Sequence, residues 1–208
     1  MRVPSDKSSP PPSRRRVPQR DRGEKRVVEL LEAAAESIAE VGYEAATMTA
    51  IAERAGASIG AVYQYFPNKE ALGLALRQQY GAELSARWTP LTTEAEGATV
   101  EELVERLFAV LFDYFAVRPA FVPLLTASLN YQGNAAQRLR LREDFAKLFR
   151  KKRPELTAPE AFRVANVALG IIRAMYPLYA EAKGRERLEV AAEFKRVVTS
   201  YLRDRLGR

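Results

Sequence analysis

The stretch TMTAIAERAGASIGAVYQYFPNKEAL, Thr47–Leu72, decides how this chain is read. It reads as two short helices joined by a tight turn, with a third helix starting directly afterwards. Ala52 is small enough to let the first two helices cross closely. Gly56 takes the turn at positive φ, and β-branched Val62 locks the second helix onto a core. Thr47 and Ser58 stand at the two helix starts, where a hydroxyl accepts from exposed amides. The spacing is that of a helix-turn-helix, which holds a short helix where it can enter a DNA major groove. The stretch therefore points to DNA binding.

Upstream, Glu24–Val41 carries Val27, Leu30, Leu31, Ala34, Ile38 and Val41 as the stripe of an amphipathic helix, and Gly42 is its expected stop. Residues 1–26 hold nine Lys and Arg against Asp6, Asp21 and Glu24, a balance of +6 in a chain whose total is +7. A basic arm thus precedes a nearly neutral body. Residues 1–22 are rich in Pro and Ser and poor in large apolar side chains, so the arm is expected to be disordered when unbound. No apolar run follows its arginines, which argues against a secretory signal and for a cytoplasmic protein. Two readings of the arm stay open. It is a solvated tail, or Arg14, Arg15 and Arg16 track phosphates or enter a minor groove.

Downstream, Asn68 is expected to cap a helix reaching about Trp88, and Pro90–Thr99 to form a polar connector. Val100–Val117 is apolar on nearly all sides, as a central buried helix is. Further helices are expected over Pro119–Tyr131, with Pro123 shifting its start or kinking it, and over Ala135–Arg153, with Leu139, Phe145, Leu148 and Phe149 inward. Two more cover Pro159–Lys183 and Glu186–Leu206. No segment alternates like a strand, so the fold class is all-α with about nine helices. The longest weakly charged run, Val164–Ala180, contains Arg173 and Pro177 and is too short for a membrane span.

The 208 residues contain no Cys and no His, which excludes disulfides and thiolate sites and removes the commonest general base and metal ligand. No nucleophile–base pair and no phosphate-cradling loop is apparent. An enzyme is not expected, nor a cofactor or metal.

Val41–Leu72, with the IAERAG and AVYQYFPNKEAL segments and the amphipathic helix before them, resembles the tetracycline-repressor (TetR) family of bacterial transcriptional regulators. The resemblance is close over the first quarter of the folded chain and rests on length and helix order beyond it. It implies a helix-turn-helix domain over residues 23–70 and an effector-binding and dimerisation domain over 71–208. It also implies a homodimer on a double-stranded, palindromic DNA operator, released by a small and largely apolar effector. A dimeric or architectural DNA-binding protein with no effector is the alternative.

By the same resemblance, DNA contacts fall on Thr49, Ser58, Ile59, Gly60, Ala61, Tyr63, Gln64, Tyr65 and Lys69. Gln64 can read adenine through paired hydrogen bonds, the tyrosine hydroxyls suit phosphates, and Ile59 can touch a thymine methyl. Lys69 opposes the dipole at its helix start, a conflict that a phosphate would resolve. Ile59–Phe66 has no Arg or Lys, so affinity is expected to lean on Lys69 and the arm. Effector-pocket candidates are Phe108, Phe112, Phe115, Phe121, Leu125, Tyr131, Phe145, Phe149, Arg173, Met175 and Tyr176. Arg173, in an apolar helix, is expected to pair with Asp113, Glu143, Asp144 or the partner subunit, or else to anchor an acidic ligand. Val190, Phe194, Val197, Val198, Tyr201 and Leu202 are the expected dimer face.

Overall fold

The computed structural model describes residues 19–94, 97–127 and 135–207, and no strand occurs among them. Its helices are α1 (Gln19–Ala45), α2 (Met48–Arg54), α3 (Ile59–Tyr65), α4 (Lys69–Glu94), α5 (Val100–Val117), α6 (Phe121–Thr126), α7 (Ala135–Lys152), α8 (Ala158–Glu181) and α9 (Arg185–Leu206). Arg14, Arg15, Arg16 and Tyr131 lie outside the described residues. Helix α1 starts at Gln19, within the last residues assigned by sequence to the arm.

Helices α1–α3 close around Leu30, Ala34, Ile38, Ile51, Ala52 and Val62, all buried. Their ends are fixed by local chemistry. Thr47 Oγ1 accepts from the Ala50 amide and Ser58 Oγ from the Ala61 amide, each at 3.2 Å. At the turn Gly56 has φ +58°, the Ala57 amide donates to Ala52 O at 2.9 Å and the Gly56 amide to Glu53 O at 3.0 Å. This paired closure satisfies the last carbonyls of α2 and needs a residue without a Cβ at its left-handed position. From α1, Arg26 donates to Ala55 O at 3.3 Å and Gly56 O at 3.4 Å, while Arg54 pairs back to Glu36 and Glu40. The turn is thus clamped to α1 on both sides.

Helix α4 joins this headpiece to the body. Leu72, Leu76, Tyr80, Leu84 and Trp88 are each 5% exposed or less. A four-residue spacing on a 3.6-residue helix rotates the buried stripe by about 40° per step, so about 160° separates Leu72 from Trp88. The helix therefore enters the headpiece core with one face and the body core with nearly the opposite one. It also runs past Trp88, through Pro90, to Glu94, which corrects the expected connector. Buried Leu91 holds the extra turn in place, and Ala86, whose carbonyl Pro90 leaves without a donor, is exposed to water.

In the body α5 is central, α7 packs on α8, α8 on α9, and α9 on α5. Helix α6 is shorter than expected and starts at Phe121, which places Pro123 in the first turn, where amides have no helical partner. Phe145, Leu148 and Phe149 are inward on α7 as expected, whereas Leu139 is 44% exposed. Position 139 turns away from the face those three share.

A polar joint ties α4 to α5. Arg118 donates to both Glu83 carboxylate oxygens at 2.8 and 3.0 Å, and Gln79 and the Tyr114 hydroxyl donate to the same carboxylate at 2.9 and 3.1 Å. Burial alone would raise the Glu83 carboxyl, but these donors bring it below its ordinary value. A depressed carboxylate stabilises the fold above the unfolded value of about 4.3 and loses that contribution as pH falls through the folded one. Glu83→Gln should therefore cost about 1–2 kcal/mol at pH 7, and its deficit relative to the parent should close towards about pH 3. Urea unfolding of both proteins at the two pH values checks this.

Candidate functional site

Helix α3 presents one face to solvent. Ser58, Ile59, Gly60, Gln64 and both tyrosines are exposed, with Tyr63 at 49% and Tyr65 at 38%, and Ala61 is half-buried. Thr49, on the first turn of α2, is exposed as well. Val62 and Phe66 point the other way into the core. The expected contact residues of the helix-turn-helix are thus on the surface, and α3 carries no charge among them. Gly60 has open space where a Cβ would be, so a partner backbone can approach closely there.

Lys69 is engaged differently from the sequence expectation. Its ammonium donates to Tyr43 O at 3.0 Å and Glu44 O at 2.9 Å and lies 4.8 Å from the centroid of the Tyr43 ring. The conflict with the α4 dipole is offset by the carbonyls that end α1, which are acceptors in need of donors. One of its three protons is left for another acceptor. The same ring lies so close to α4 that a Cβ on Gly73 would stand 2.7 Å from Tyr43 Cε2. Lys69→Met should therefore loosen the α1–α4 junction and destabilise the headpiece by about 1–2 kcal/mol. Hydrogen exchange of the amides around Tyr43 should quicken while those of α5 stay protected.

Behind the headpiece, α4, α6, α7 and α8 line a partly open cavity of about 510 Å³. Its walls are Arg77, Gly81, Leu84, Ser85 and Trp88 of α4, Phe121 and Leu125 of α6 with Ala127, Arg138, Leu141 and Arg142 of α7, and Leu169, Ile172, Arg173, Tyr176 and Pro177 of α8. Phe121, Leu125, Arg173 and Tyr176 were expected there. Phe108, Phe145, Phe149 and Met175 are instead core side chains away from the lining, and Phe112 and Phe115 border a separate groove with Tyr179 and Arg187. The expected ion pairs of Arg173 are not formed among the described residues: Arg173 is exposed into the cavity and Asp144 pairs with Lys147 at 3.2 Å. Burial raises the Tyr176 phenol above its ordinary value, so it is neutral at any physiological pH.

The α4 contribution escaped the sequence reading, although positions 77, 81, 84, 85 and 88 share one helical face. Phe121 couples the cavity to its surroundings, with ring centroids 5.0 Å from Tyr114, 5.8 Å from Phe115 and 6.1 Å from Tyr80 and Tyr176. Helix α6 itself packs against α1, α4 and α8.

On α9, Val197 is 50% exposed and Val190, Phe194 and Tyr201 are half-buried, but Val198 and Leu202 are at 0%. Val198 and Leu202 face the chain's own core and leave the expected dimer face. Val167, Ile171, Ala174 and Leu178 form a matching surface stripe on α8, opposite the side that lines the cavity.

Residues 30–76 match the model of bacterial regulatory proteins of the tetR family, and residues 99–202, half of the chain, match the tetracyclin repressor-like C-terminal domain. The HTH-type transcriptional repressor AcnR of Corynebacterium diphtheriae is 30% identical over 117 residues, which cover 56% of this chain and 58% of that protein, so the match spans less than two thirds of it. The HTH-type transcriptional regulator BetI of Cronobacter sakazakii is 28% identical over 185 residues, 86% of this chain and 90% of that one. The crystal structure of a TetR-family regulator from Mesorhizobium loti has the same fold, with a TM-score of 0.65 at 21% identity over 87% of this chain and 96% of its own. No helix among the described residues is long and apolar enough to cross a membrane. The chain belongs to the TetR family of bacterial regulatory proteins.

Proposed function

We propose that the chain is a homodimeric transcriptional repressor that binds a palindromic DNA operator and releases it when a small effector fills the cavity behind the headpiece. It is a DNA-binding regulator and not an enzyme, in keeping with its family. The repressor reading is supported by the similarity to AcnR, which is itself named a repressor.

The observation that carries the effector reading is the continuity of α4. One helix holds Lys69 at the α1 junction and, further along, Arg77, Leu84 and Trp88 in the cavity wall. A ligand that prefers one α4 position over another must therefore shift the headpiece, which is all that two-state release requires. A body with a solid core would favour the alternative of an architectural protein without effector. A cavity of about 510 Å³ supports the effector reading, since small-ligand sites span roughly 300–1,000 Å³.

The exposed stripes of α8 and α9 support dimerisation. Packed on their two-fold mates they make a four-helix bundle, and two copies of α3 then address half-sites about one helical turn apart. In the complex Gln64 reads a base, Tyr63 and Tyr65 reach the backbone, and the arm with Arg14, Arg15 and Arg16 supplies charge that α3 lacks.

Two substitutions test this reading. Val197→Glu, at a solvent-facing position, should give a folded monomer by sedimentation and weaken operator binding by about 10²-fold or more through loss of the second headpiece. A variant that stays dimeric refutes the interface. Gln64→Ala should relax the base preference at one position of each half-site by about 1–3 kcal/mol, seen in competition between operator variants. An unchanged preference removes Gln64 from base reading.

A further inference from the structure

We propose that the effector is an anionic amphiphile, with a carboxylate or phosphate head set among Arg77, Arg138, Arg142 and Arg173 and an apolar body along the rest of the lining. This rests on the effector reading above and narrows it from a largely apolar ligand to an acidic one. Three helices contribute arginines to the lining of the one cavity: Arg77 from α4, Arg138 and Arg142 one turn apart on α7, and Arg173 from α8. No Asp or Glu is among the described residues that line it. Of the acidic side chains along these helices, Asp144 pairs with Lys147 and Glu83 with Arg118.

Such a gathering of like charges is unfavourable in itself. Arg142 is held below the ordinary guanidinium range by burial, then by the charges of Arg173 and Arg138. Cations gathered in a partly dry space repel one another and raise the local concentration of anions. A carboxylate or phosphate offers planar or tripod oxygens that several guanidinium groups can share through charge-assisted hydrogen bonds. The remaining wall is apolar, with Trp88, Phe121, Leu125 and Ile172, so a bare inorganic anion would leave most of the space unfilled. A neutral apolar ligand would cover Arg142, whose neighbouring charges are the cations Arg173 and Arg138, and bring it no anion. A molecule with both parts suits the arginines and the apolar lining together. Its head would also draw Arg77 towards α7 and α8, and Arg77 lies about two turns from Lys69 on the same helix.

Trp88 is the only tryptophan in the chain and lines the cavity, so its fluorescence reports occupancy directly. The full-length protein is titrated, below micelle concentrations, with dodecanoate, dodecyl phosphate, dodecanol and dodecyltrimethylammonium. A saturable change is expected with at least one of the two anions, about tenfold or more tighter than with the alcohol and absent with the ammonium. The two anionic arms decide between carboxylate and phosphate. Arg142→Gln and Arg173→Gln should each weaken the anion by about tenfold and leave the alcohol unchanged, and Arg142→Lys should recover part of the loss. Thermal melts report folding, and exposed Arg173 keeps the test valid if Arg142→Gln unfolds.

Equal binding of alcohol and anion, preference for the ammonium, no saturable response to any compound, or indifference to both substitutions overturns the proposal. Operator release is measured in parallel. An anion that fills the cavity without releasing DNA overturns the effector reading and leaves the ligand class standing. An alcohol that binds as well as the anions and releases DNA does the reverse.

Discussion

The structure depends on the burial of a single rotating stripe on α4. Leu72 and Leu76 complete the headpiece core, Tyr80 sits at the junction, and Leu84 and Trp88 belong to the body. Because the stripe advances in steps of four, the helix cannot turn to improve one contact without disturbing the other. Fully burying each such side chain is worth about 1.5–3 kcal/mol, so slippage of the helix is costly at either end. The headpiece and body are therefore mechanically joined, and the boundary that the sequence places at residue 70 falls inside a continuous helix.

Polar contacts fix where this helix can go. Lys69 fastens its first turn to the carbonyls that end α1, and the Glu83 carboxylate, with four donated hydrogen bonds, fastens its middle to Arg118 and Tyr114. Burial and the nearby carboxylate hold the Tyr114 phenol above its ordinary range, while burial pushes Tyr80 up to about 12, so both rings remain neutral members of the joint. Arg26 and Arg54 are likewise committed to holding the helix-turn-helix together. Arg26, Arg54 and Lys69 thus do structural work inside the headpiece. The proposed DNA affinity therefore draws on backbone amides, the remaining Lys69 proton, the arm and the doubling of contacts in a dimer.

What the sequence reveals and what it hides follow one physical divide. Thr47, Ser58, Gly56 and Asn68 act on residues within five positions of themselves, so their roles can be read from spacing alone, and the structure places each cap and turn where it was expected. The family motif is composed of such local devices. Facts that depend on distant packing were not legible. Val198 and Leu202 are apolar like Val197, and only the position of α5 and α8 decides that they face inward. Lys69 looks like a misplaced cation until the end of α1 is brought against it. Leu91 carries α4 through Pro90 because the body offers a place to bury it. The cavity was half seen: its aromatic wall and Arg173 could be anticipated from α6 and α8, but Arg77, Arg138 and Arg142 come from α4 and α7, far apart in sequence.

The central claim is that filling the cavity moves the headpieces through α4. With no cysteine in the chain, Glu53→Cys, at an exposed site on α2, gives a single spin-label position per subunit. The distance between the two labels of a dimer can then be measured by pulsed electron–electron resonance, with operator DNA and with dodecanoate or dodecyl phosphate added until the Trp88 signal saturates. The account predicts one distance distribution on DNA and a displaced one with the cavity filled. An unchanged distribution at full occupancy would contradict it.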